Sequence, residues 1–332
     1  MQPNPPRAHD EHRARLARGV PALEWAVHEP TLDRIWRWKK ARGAIVLAHN
    51  YQRPEVFHGI ADVTGDSLAL AQHAAETDAE VIVMCGVHFM AETAKLLNPD
   101  RVVLLPDLEA GCSLAQAITG DDVRRLRARH PGVPVVTYVN TSAEVKAESD
   151  ICCTSANAVD VVRSLGSERV IFLPDAHLGR YVAATTHVEL ILFSGRCEVH
   201  DRFRARDVEE LRRDVGDVYV VAHPECPPDV LAGADFVGST TAMIRHLGDV
   251  RPPRVALLTE CSMADNLRAE LPDIDFLQPC NLCPHMARIT LEKVADALEH
   301  MHHAIEVPSD VAPRARRAIE RMLEVRSGEA RP

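Results

Sequence analysis

The sequence lacks any apolar run long enough to cross a membrane as a helix, which takes about 18 consecutive residues. Residues 1 to 20, MQPNPPRAHDEHRARLARGV, also lack the apolar segment of a secretory signal. We therefore expect a cytoplasmic protein without membrane attachment. The same basic segment is expected to be a disordered lead-in, within an N-terminal extension that covers residues 1–30.

Positive charge is scarce relative to negative charge. The 38 lysines and arginines are outnumbered by 48 aspartates and glutamates, which gives a formal net charge of −10. Proteins that bind nucleic acid need clustered lysine and arginine, so this balance argues against a nucleic-acid partner. The 46% hydrophobic and 26% charged content is that of an ordinary globular protein. A length of 332 residues suits two or three compact units.

The nine cysteines are an odd number in a chain without an export signal. A disulfide scaffold is therefore not expected, and most of the thiols should be reduced. In a reducing compartment, a cysteine is usually a buried apolar side chain, a catalytic group or a metal ligand. Which of these uses applies to a given cysteine has to be inferred from its position in the sequence pattern.

Three segments of the chain repeat one pattern. They begin at Ile45, Val135 and Tyr219. Each opens with an apolar run of strand length, passes a polar cluster and a small-residue turn, continues as a helix pattern and closes with a second apolar strand. The turn serines Ser67, Ser155 and Ser239 lie 88 and 84 residues apart. A period of about 85 residues indicates whole α/β units rather than short solenoid repeats.

Continuous apolar strands that alternate with helices indicate parallel sheets with helices on both faces. We therefore predict an α/β fold of three pseudo-symmetric αβα units, with parallel sheets around a central active site. The predicted units cover residues 31–118, 119–203 and 204–305, and residues 306–332 form a C-terminal helix and tail.

Polar side chains lie where the first strand of each unit ends. Ligands of parallel sheets bind beyond the carboxyl ends of the strands, so these residues are candidates for binding and catalysis. They are His49, Asn50, Tyr51, Tyr138, Asn140, His223 and Glu225.

The later strand of each unit leads to a cysteine at a repeated position. Cys112, Cys197 and Cys283 are separated by 85 and 86 residues. Structural zinc would require four protein ligands, and no fourth cysteine or histidine follows the repeat. Three thiolates on a [4Fe–4S] cluster would leave one iron open to a substrate. Three buried core thiols, or a redox-active Cys280–Cys283 pair, are the alternatives.

The small-residue turns predict a second property of the site. Ser67, Ser155 and the Ser239–Thr240 pair lie where a hydroxyl can cap a helix, and uncapped first amides of helices attract anions. Three such turns facing one centre predict a pocket for a polyanionic small molecule. Together with a cluster, this pocket favours dehydration or condensation chemistry over electron transfer.

The chain resembles the quinolinate synthase family over residues 31–305. The segments that carry the resemblance include LAHNYQRPEV, ADVTGDSLALA, GVHFMAETAKLLNP, CEVHDRF, AHPECPPDV and CNLCPHMARITL. The resemblance implies an oxygen-sensitive [4Fe–4S] transferase of de novo NAD biosynthesis. Such an enzyme condenses iminoaspartate with dihydroxyacetone phosphate to give quinolinate, phosphate and two waters. It also implies functional coupling to the enzyme that supplies iminoaspartate.

The resemblance also implies roles for individual residues. The cluster ligands are Cys112, Cys197 and Cys283. The substrate-binding residues are His49, Ser67, Tyr138, Asn140, Ser155, His223, Glu225, Ser239 and Thr240. We predict that Glu225 and Tyr51 form the acid–base pair, and that His49 and His223 hydrogen-bond substrate oxygens. Glu225 would work best if enclosure raised its pKa toward neutrality.

Two features depart from the family pattern. Several members carry C-x-x-C-x-x-C near the C-terminus, whereas this chain has Leu277 at the first position, and Cys261 is unusual. A regulatory Cys280–Cys283 disulfide is therefore an open alternative. Two functions of other classes are also open: an iron–sulfur sensor or electron carrier, and a zinc-bound or metal-free module for polyanions.

Overall fold

The computed structural model describes residues 10–277 and 279–325. The first unit contains two long helices at its start and a sheet with flanking helices. Its elements are α1 (Asp10–Gly19), α2 (Ala22–Arg42), β1 (Ala44–His49), α3 (Pro54–Phe57), β2 (Val63–Gly65), α4 (Ser67–Glu76), β3 (Val81–Cys85), α5 (His88–Leu97) and β4 (Val102–Leu104). The expectation of a disordered lead-in over residues 1–20 is therefore wrong for residues 10–19, which form α1, while residues 1–9 lie outside the described part.

The second unit repeats this alternation of strands and helices. Its elements are α6 (Ser113–Gln116), α7 (Gly120–Arg129), β5 (Val135–Tyr138), α8 (Ala143–Ala147), β6 (Ile151–Cys153), α9 (Ala158–Ser164), β7 (Arg169–Leu173), α10 (Ala176–Thr186) and β8 (Glu189–Leu192). A short 3₁₀ turn over His200–Arg202 follows the last strand.

The third unit has the same order, and two further helices follow it. The elements are α11 (Ala205–Val215), β9 (Tyr219–Ala222), α12 (Pro228–Leu231), β10 (Phe236–Val237), α13 (Thr240–Val250), β11 (Arg254–Leu258), α14 (Cys261–Glu270), β12 (Asp275–Leu277), α15 (Leu291–His300) and α16 (Ala312–Glu324). A 3₁₀ turn over Met286–Arg288 precedes α15.

Each unit contains one four-stranded parallel sheet. The strand orders are β2-β1-β3-β4, β6-β5-β7-β8 and β10-β9-β11-β12, so the three sheets have the same topology. The central strands carry continuous apolar runs, and β3 is buried at all five of its residues, which is the pattern of a parallel sheet covered on both faces. The predicted fold class of three pseudo-symmetric α/β units is confirmed.

The units are not equivalent in how they bury their cores. One large core joins the first two sheets and the last two helices; it reaches from Leu16 to Met322. The third sheet has its own cores on its two faces, built around residues such as Leu257 and Leu258, respectively. The third unit is therefore the most independent of the three in its packing.

The C-terminal segment returns to the earlier units. Helix α15 packs against α2, and the stretch after it pairs with the end of β4, where the Ile305 amide donates to the Val103 carbonyl over 2.8 Å. Residues 291–305 thus complete the first unit, although they fall in the range predicted for the third. Helix α16 packs against α8, and Arg314 donates to Glu148 Oε1 over 2.8 Å.

Membrane insertion through a helix has no support in the described residues. None of the helices within residues 10–277 and 279–325 combines the length and the apolar character that a bilayer requires.

Candidate active site

One cavity lies against strand ends from all three sheets. Its space is about 710 Å³, part of it open to solvent, which is in the range of small-molecule sites. The predicted residues that line it are His49, Tyr51, Ser67, Cys112, Tyr138, Asn140, Ser155, Cys197, His223, Glu225, Thr240 and Cys283. Because β1, β5 and β9 occupy the same place in the three sheets, their carboxyl ends converge on this one space.

The three repeat-matched cysteines lie in loops of three different units. Cys112, Cys197 and Cys283 follow β4, β8 and β12 and all line the cavity. Burial raises the pKa of Cys112 to about 12 and that of Cys283 to about 11. Burial also raises the pKa of Cys197 well above its usual value. Bare thiols here would keep their protons, whereas a coordinating metal displaces them, so these three donors suit a metal group.

A more compact donor set lies beside Cys197. One donor atom from each of Cys197, His200 and Glu225 lies within 4.8 Å of the others. That spacing fits a single ion such as Zn²⁺. The three cysteines do not form such a compact group among the described residues, and a cluster of several irons needs ligands that stand farther apart than those of one ion.

Glu225 is the centre of the polar network in the cavity. The Tyr138 hydroxyl donates to its Oε1 over 2.5 Å, and His200 Nδ1 lies 2.8 Å from its Oε2. Burial alone would raise the pKa of Glu225, but His223, His200 and the Tyr138 hydroxyl hold that pKa well below its usual value. The condition under which Glu225 would work best, a pKa raised toward neutrality by enclosure, is therefore not met, because these partners outweigh burial.

Four titratable groups that line the cavity with Glu225 are neutral at pH 7, namely His49, His223, Tyr51 and Tyr138. Burial lowers the pKa of His49 to about 4 and that of His223 to about 3. Burial raises the pKa of both Tyr51 and Tyr138 well above 10.0. One carboxylate therefore faces neutral imidazoles and protonated phenols.

Two of the three predicted helix caps differ from expectation. Helix α4 is capped by Asp66, whose Oδ1 accepts from the Ala69 amide over 3.0 Å, and Ser67 is its first residue. Helix α9 has Asn157 at its N-cap without a side-chain cap bond, and Ser155 lies in the turn before it. Short polar residues are adjacent at these turns, so the cap position can shift by one or two residues without changing the pattern.

Ser239 is the predicted hydroxyl that does cap a helix. Its Oγ accepts from the Ala242 amide over 3.3 Å and donates to Asp66 Oδ2 over 3.1 Å. It is buried and is not among the residues that line the cavity. Nearby, Asn50 donates to Thr240 Oγ1 over 2.8 Å, so this corner joins the first unit to the third.

Comparison with known proteins assigns the chain to a family. The family described as "Quinolinate synthetase A protein" matches residues 33–324. The chain belongs to the quinolinate synthase family. It is 60% identical to "Quinolinate synthase 1" of Mesorhizobium japonicum over 311 residues, which are 94% of this chain and 96% of that protein.

Two further relatives agree with this assignment. "Quinolinate synthase" of Agrobacterium fabrum is 58% identical, over 94% of this chain and 90% of that protein. "Quinolinate synthase" of Xylella fastidiosa (strain Temecula1) is also 58% identical, over 89% of this chain and 87% of that protein. The resemblance inferred from the sequence segments is confirmed.

This member of the quinolinate synthase family has site residues that the sequence patterns did not single out. His200 lies three residues after Cys197, and Thr259 directly follows β11. The hydroxyl of Thr259 lies 2.6 Å from the Tyr51 hydroxyl and 3.0 Å from His200 Nε2. Thr259 could have been found by applying the strand-end rule to the third strand of each unit as well as to the first.

The cavity of this quinolinate synthase relative has no lysine or arginine among its described lining residues. Anionic substrates would therefore have to be held by hydroxyls, amides, imidazoles and the first turns of α4 and α13. Ser67 and Thr240 begin those two helices and line the cavity.

A disulfide lies beside the loop that carries Cys283. It joins Cys261 at the start of α14 to Cys280, with 5.0 Å between the two Cα atoms. Cys280 is therefore not paired with Cys283, and the Cys280–Cys283 alternative is wrong. Between these segments, burial raises the pKa of Glu260 to about 7, and its Oε1 accepts from the Cys283 amide over 3.3 Å.

Proposed function

We propose that this protein condenses iminoaspartate with dihydroxyacetone phosphate to give quinolinate, inorganic phosphate and two waters. It is then a cytoplasmic transferase of de novo NAD biosynthesis, functionally coupled to the enzyme that supplies iminoaspartate. The observation that carries the proposal is the cavity in which three units contribute both the repeat-matched cysteines and the acid–base residues. An electron carrier or a simple sensor would have no use for Glu225, Tyr51 and two neutral histidines at the same place.

The cofactor in this proposal is a [4Fe–4S] cluster on Cys112, Cys197 and Cys283. Among the residues that the structure describes, no fourth cysteine lines the cavity, which is consistent with one iron left free of protein thiolate. When bound, the group would supply a Lewis acid that polarises a substrate oxygen or nitrogen.

The side chains of the cavity supply proton transfer and binding. Glu225 is ionised, so it acts as the base that takes a proton from a substrate carbon or nitrogen. The protonated Tyr51 acts as a donor toward a departing or developing oxygen. His49 and His223, both neutral, hydrogen-bond carbonyl and hydroxyl oxygens of the substrate.

The remaining predicted residues bind the anionic groups of the substrates. Ser67, Asn140, Ser155 and Thr240 offer hydroxyl and amide donors to the carboxylates and the phosphate, and Tyr138 orients Glu225 as well as contacting substrate. Asn140 Oδ1 is buried without a hydrogen-bond partner, which supports a role in binding a ligand. Ser239 contributes indirectly, because its hydroxyl holds Asp66 beside Ser67.

The test begins with anaerobic purification and assays of iron, sulfide and zinc. We expect roughly four irons and four sulfides per chain in the wild type, with quinolinate formed from the two substrates. Cys197→Ala should lose the iron and the activity together. Cys85→Ala is the matched control, because Cys85 is fully buried in β3 and does not line the cavity.

Two results would contradict the proposal in different ways. A zinc-loaded protein without iron would favour the compact site of Cys197, His200 and Glu225 over the cluster. An iron–sulfur protein that forms no quinolinate from the two substrates would keep the cluster and remove the proposed reaction.

A further inference from the structure

Polar contacts join the three loops that carry the repeat-matched cysteines. Each loop belongs to a different unit and follows a different strand, β4, β8 or β12. Because the three sheets are separate, strand pairing does not fix the distances among Cys112, Cys197 and Cys283. Contacts between the loops can fix these distances, and several of the residues that make such contacts lie next to the cysteines in the sequence.

Glu198 directly follows the cysteine of the second unit and contacts both of the other loops. Its backbone amide donates to the hydroxyl of Ser113 over 3.1 Å, and Ser113 directly follows the cysteine of the first unit. Its Oε1 lies 3.0 Å from Nε2 of His285, which comes two residues after the cysteine of the third unit. A carboxylate oxygen only accepts hydrogen bonds, so His285 donates through Nε2.

A third set of contacts joins the remaining two loops. Asp107 lies in the loop before Cys112, and its Oδ2 is 2.7 Å from Lys293 Nζ and 3.2 Å from Arg288 Nε. Both cations belong to the segment that follows Cys283. Each pair of the three loops is therefore joined by a hydrogen bond or an ion pair.

The Glu198–His285 pair lies on the solvent side of the cavity. Both residues line the cavity, and their side chains are 33% and 20% exposed, respectively. The side chains of Glu225 and His223 in the same cavity are only 4% and 5% exposed. Separation of the pair would therefore open the cavity to solvent on the side where the cysteines lie.

We propose that Glu198 and His285 are positioning residues for the site formed by the three cysteines. Their contact holds the Cys197 loop against the Cys283 loop and thereby keeps the metal group bound. The proposal rests on the proposed function, because it concerns the cysteines that are assigned to the cluster. Loss of either side chain would let the two loops separate, so each thiolate would dissociate from the metal group more often.

The experiment measures how fast anaerobically purified protein loses iron to an excess of the chelator bathophenanthroline disulfonate. It compares the wild type with Glu198→Ala, His285→Ala, the double alanine variant and Glu198→Gln. We expect each single alanine variant to lose iron about fivefold faster than the wild type, which corresponds to the upper end for a partly exposed ion pair.

The remaining variants test whether the two side chains act as a pair. The double variant should lose iron no faster than the single alanine variants, because either change already removes the contact. Glu198→Gln should restore most of the retention, because its amide oxygen can still accept a hydrogen bond from His285 Nε2.

Glu299→Ala is the matched control. Glu299 Oε2 lies 2.6 Å from Arg34 Nε, and the Glu299 side chain is 29% exposed, which is close to the value for Glu198. Glu299 lies in α15 and is not among the residues that line the cavity. This variant should lose iron at the wild-type rate.

A second readout needs neither metal nor activity. Metal-free protein is treated with iodoacetamide, and the alkylated cysteines are located by mass spectrometry of the peptides. We expect Cys112, Cys197 and Cys283 to react about fivefold faster in the alanine variants than in the wild type. Cys85 is fully buried in β3 and should stay unreactive in every variant.

Three results would overturn the proposal. They are an alanine variant that loses iron at the wild-type rate, an alanine variant whose three cysteines react at the wild-type rate, and additive effects in the double variant. An iron–sulfur protein that forms no quinolinate would refute the proposed reaction alone. A wild type that binds zinc or no metal would refute the proposed cluster alone, and the alkylation rates would then support or overturn the pairing of Glu198 with His285.

Discussion

Removal of the Cys261–Cys280 disulfide is the most direct test of the structure around the Cys283 loop. The bond closes a stretch of 19 residues that contains α14 and β12. We consider the double variant Cys261→Ser/Cys280→Ser, which removes the cross-link and leaves the other seven cysteines in place.

The loss of stability expected from removing the disulfide follows from the length of the closed stretch. In the chain-entropy account, a cross-link over about 20 residues removes unfolded-state freedom worth about 3 kcal/mol at 25 °C. The third unit has its own cores, so the loss should fall mainly on that unit. For a cooperative unit of roughly 60–100 residues, the corresponding decrease in Tm is about 12–24 °C.

The assay has two parts, both on metal-free protein. Thiol titration of the denatured wild type should find seven thiols before reduction and nine afterwards. Thermal unfolding should show that dithiothreitol lowers the Tm of the wild type to that of the double variant. Dithiothreitol should leave the Tm of the double variant unchanged, which is the control.

Two outcomes would refute this reasoning. Nine thiols before reduction would mean that the disulfide does not form in the purified protein. Seven thiols together with a Tm that dithiothreitol does not change would mean that the cross-linked stretch is already held by its packing.

Three further changes have definite expected results. Tyr138→Phe removes the 2.5 Å hydrogen bond to Glu225 and should lower kcat about 10- to 100-fold, the effect of a hydrogen bond to a charged group, as measured by quinolinate formation. Burial alone would raise the pKa of Glu148, but the hydrogen bonds from two arginines outweigh it and lower that pKa below 4.5. The contribution of this carboxylate to stability is therefore complete above about pH 4.5 and is lost as the pH falls through the folded-state pKa. Glu148→Gln should lower the free energy of unfolding at pH 7 by up to about 1 kcal/mol. In acid, the wild type and this variant should have the same free energy of unfolding. Truncation of residues 308–332 should yield insoluble protein, because it removes core side chains of α16, whereas truncation of residues 326–332 should not change solubility.

The sheets could be predicted because their signal is local. Each central strand is a continuous apolar run followed by polar residues, and the pattern repeats three times along the chain. The same repeat selects Cys112, Cys197 and Cys283 from the nine cysteines, and all three line the cavity.

Other elements depend on contacts that sequence patterns do not show. Helix α1 is rich in charge, so its composition does not indicate a core helix. Leu16 is nevertheless fully buried, and the helix packs against α14 of the third unit. Its stability comes from this tertiary packing rather than from its own apolar pattern. The return of α15 to α2 is a long-range contact of the same kind.

The residue types of the site could be predicted from the sequence, whereas the protonation states of their side chains could not. The strand-end rule selected Glu225, but its pKa depends on Tyr138 and His200 from the second unit as well as on His223. Charge states in a cavity shared by three units follow from groups that are far apart in the sequence.

The return of the last two helices to the first two units has a consequence for synthesis on the ribosome. Ala315, Ile319 and Met322 of α16 belong to the core that the first two sheets share. That core cannot reach its final packing until nearly the whole chain has left the exit tunnel. The third unit has its own cores, so it can fold before α15 and α16 have been synthesised and have packed against the earlier units. The order of folding during translation is therefore expected to differ from the order of the units along the chain.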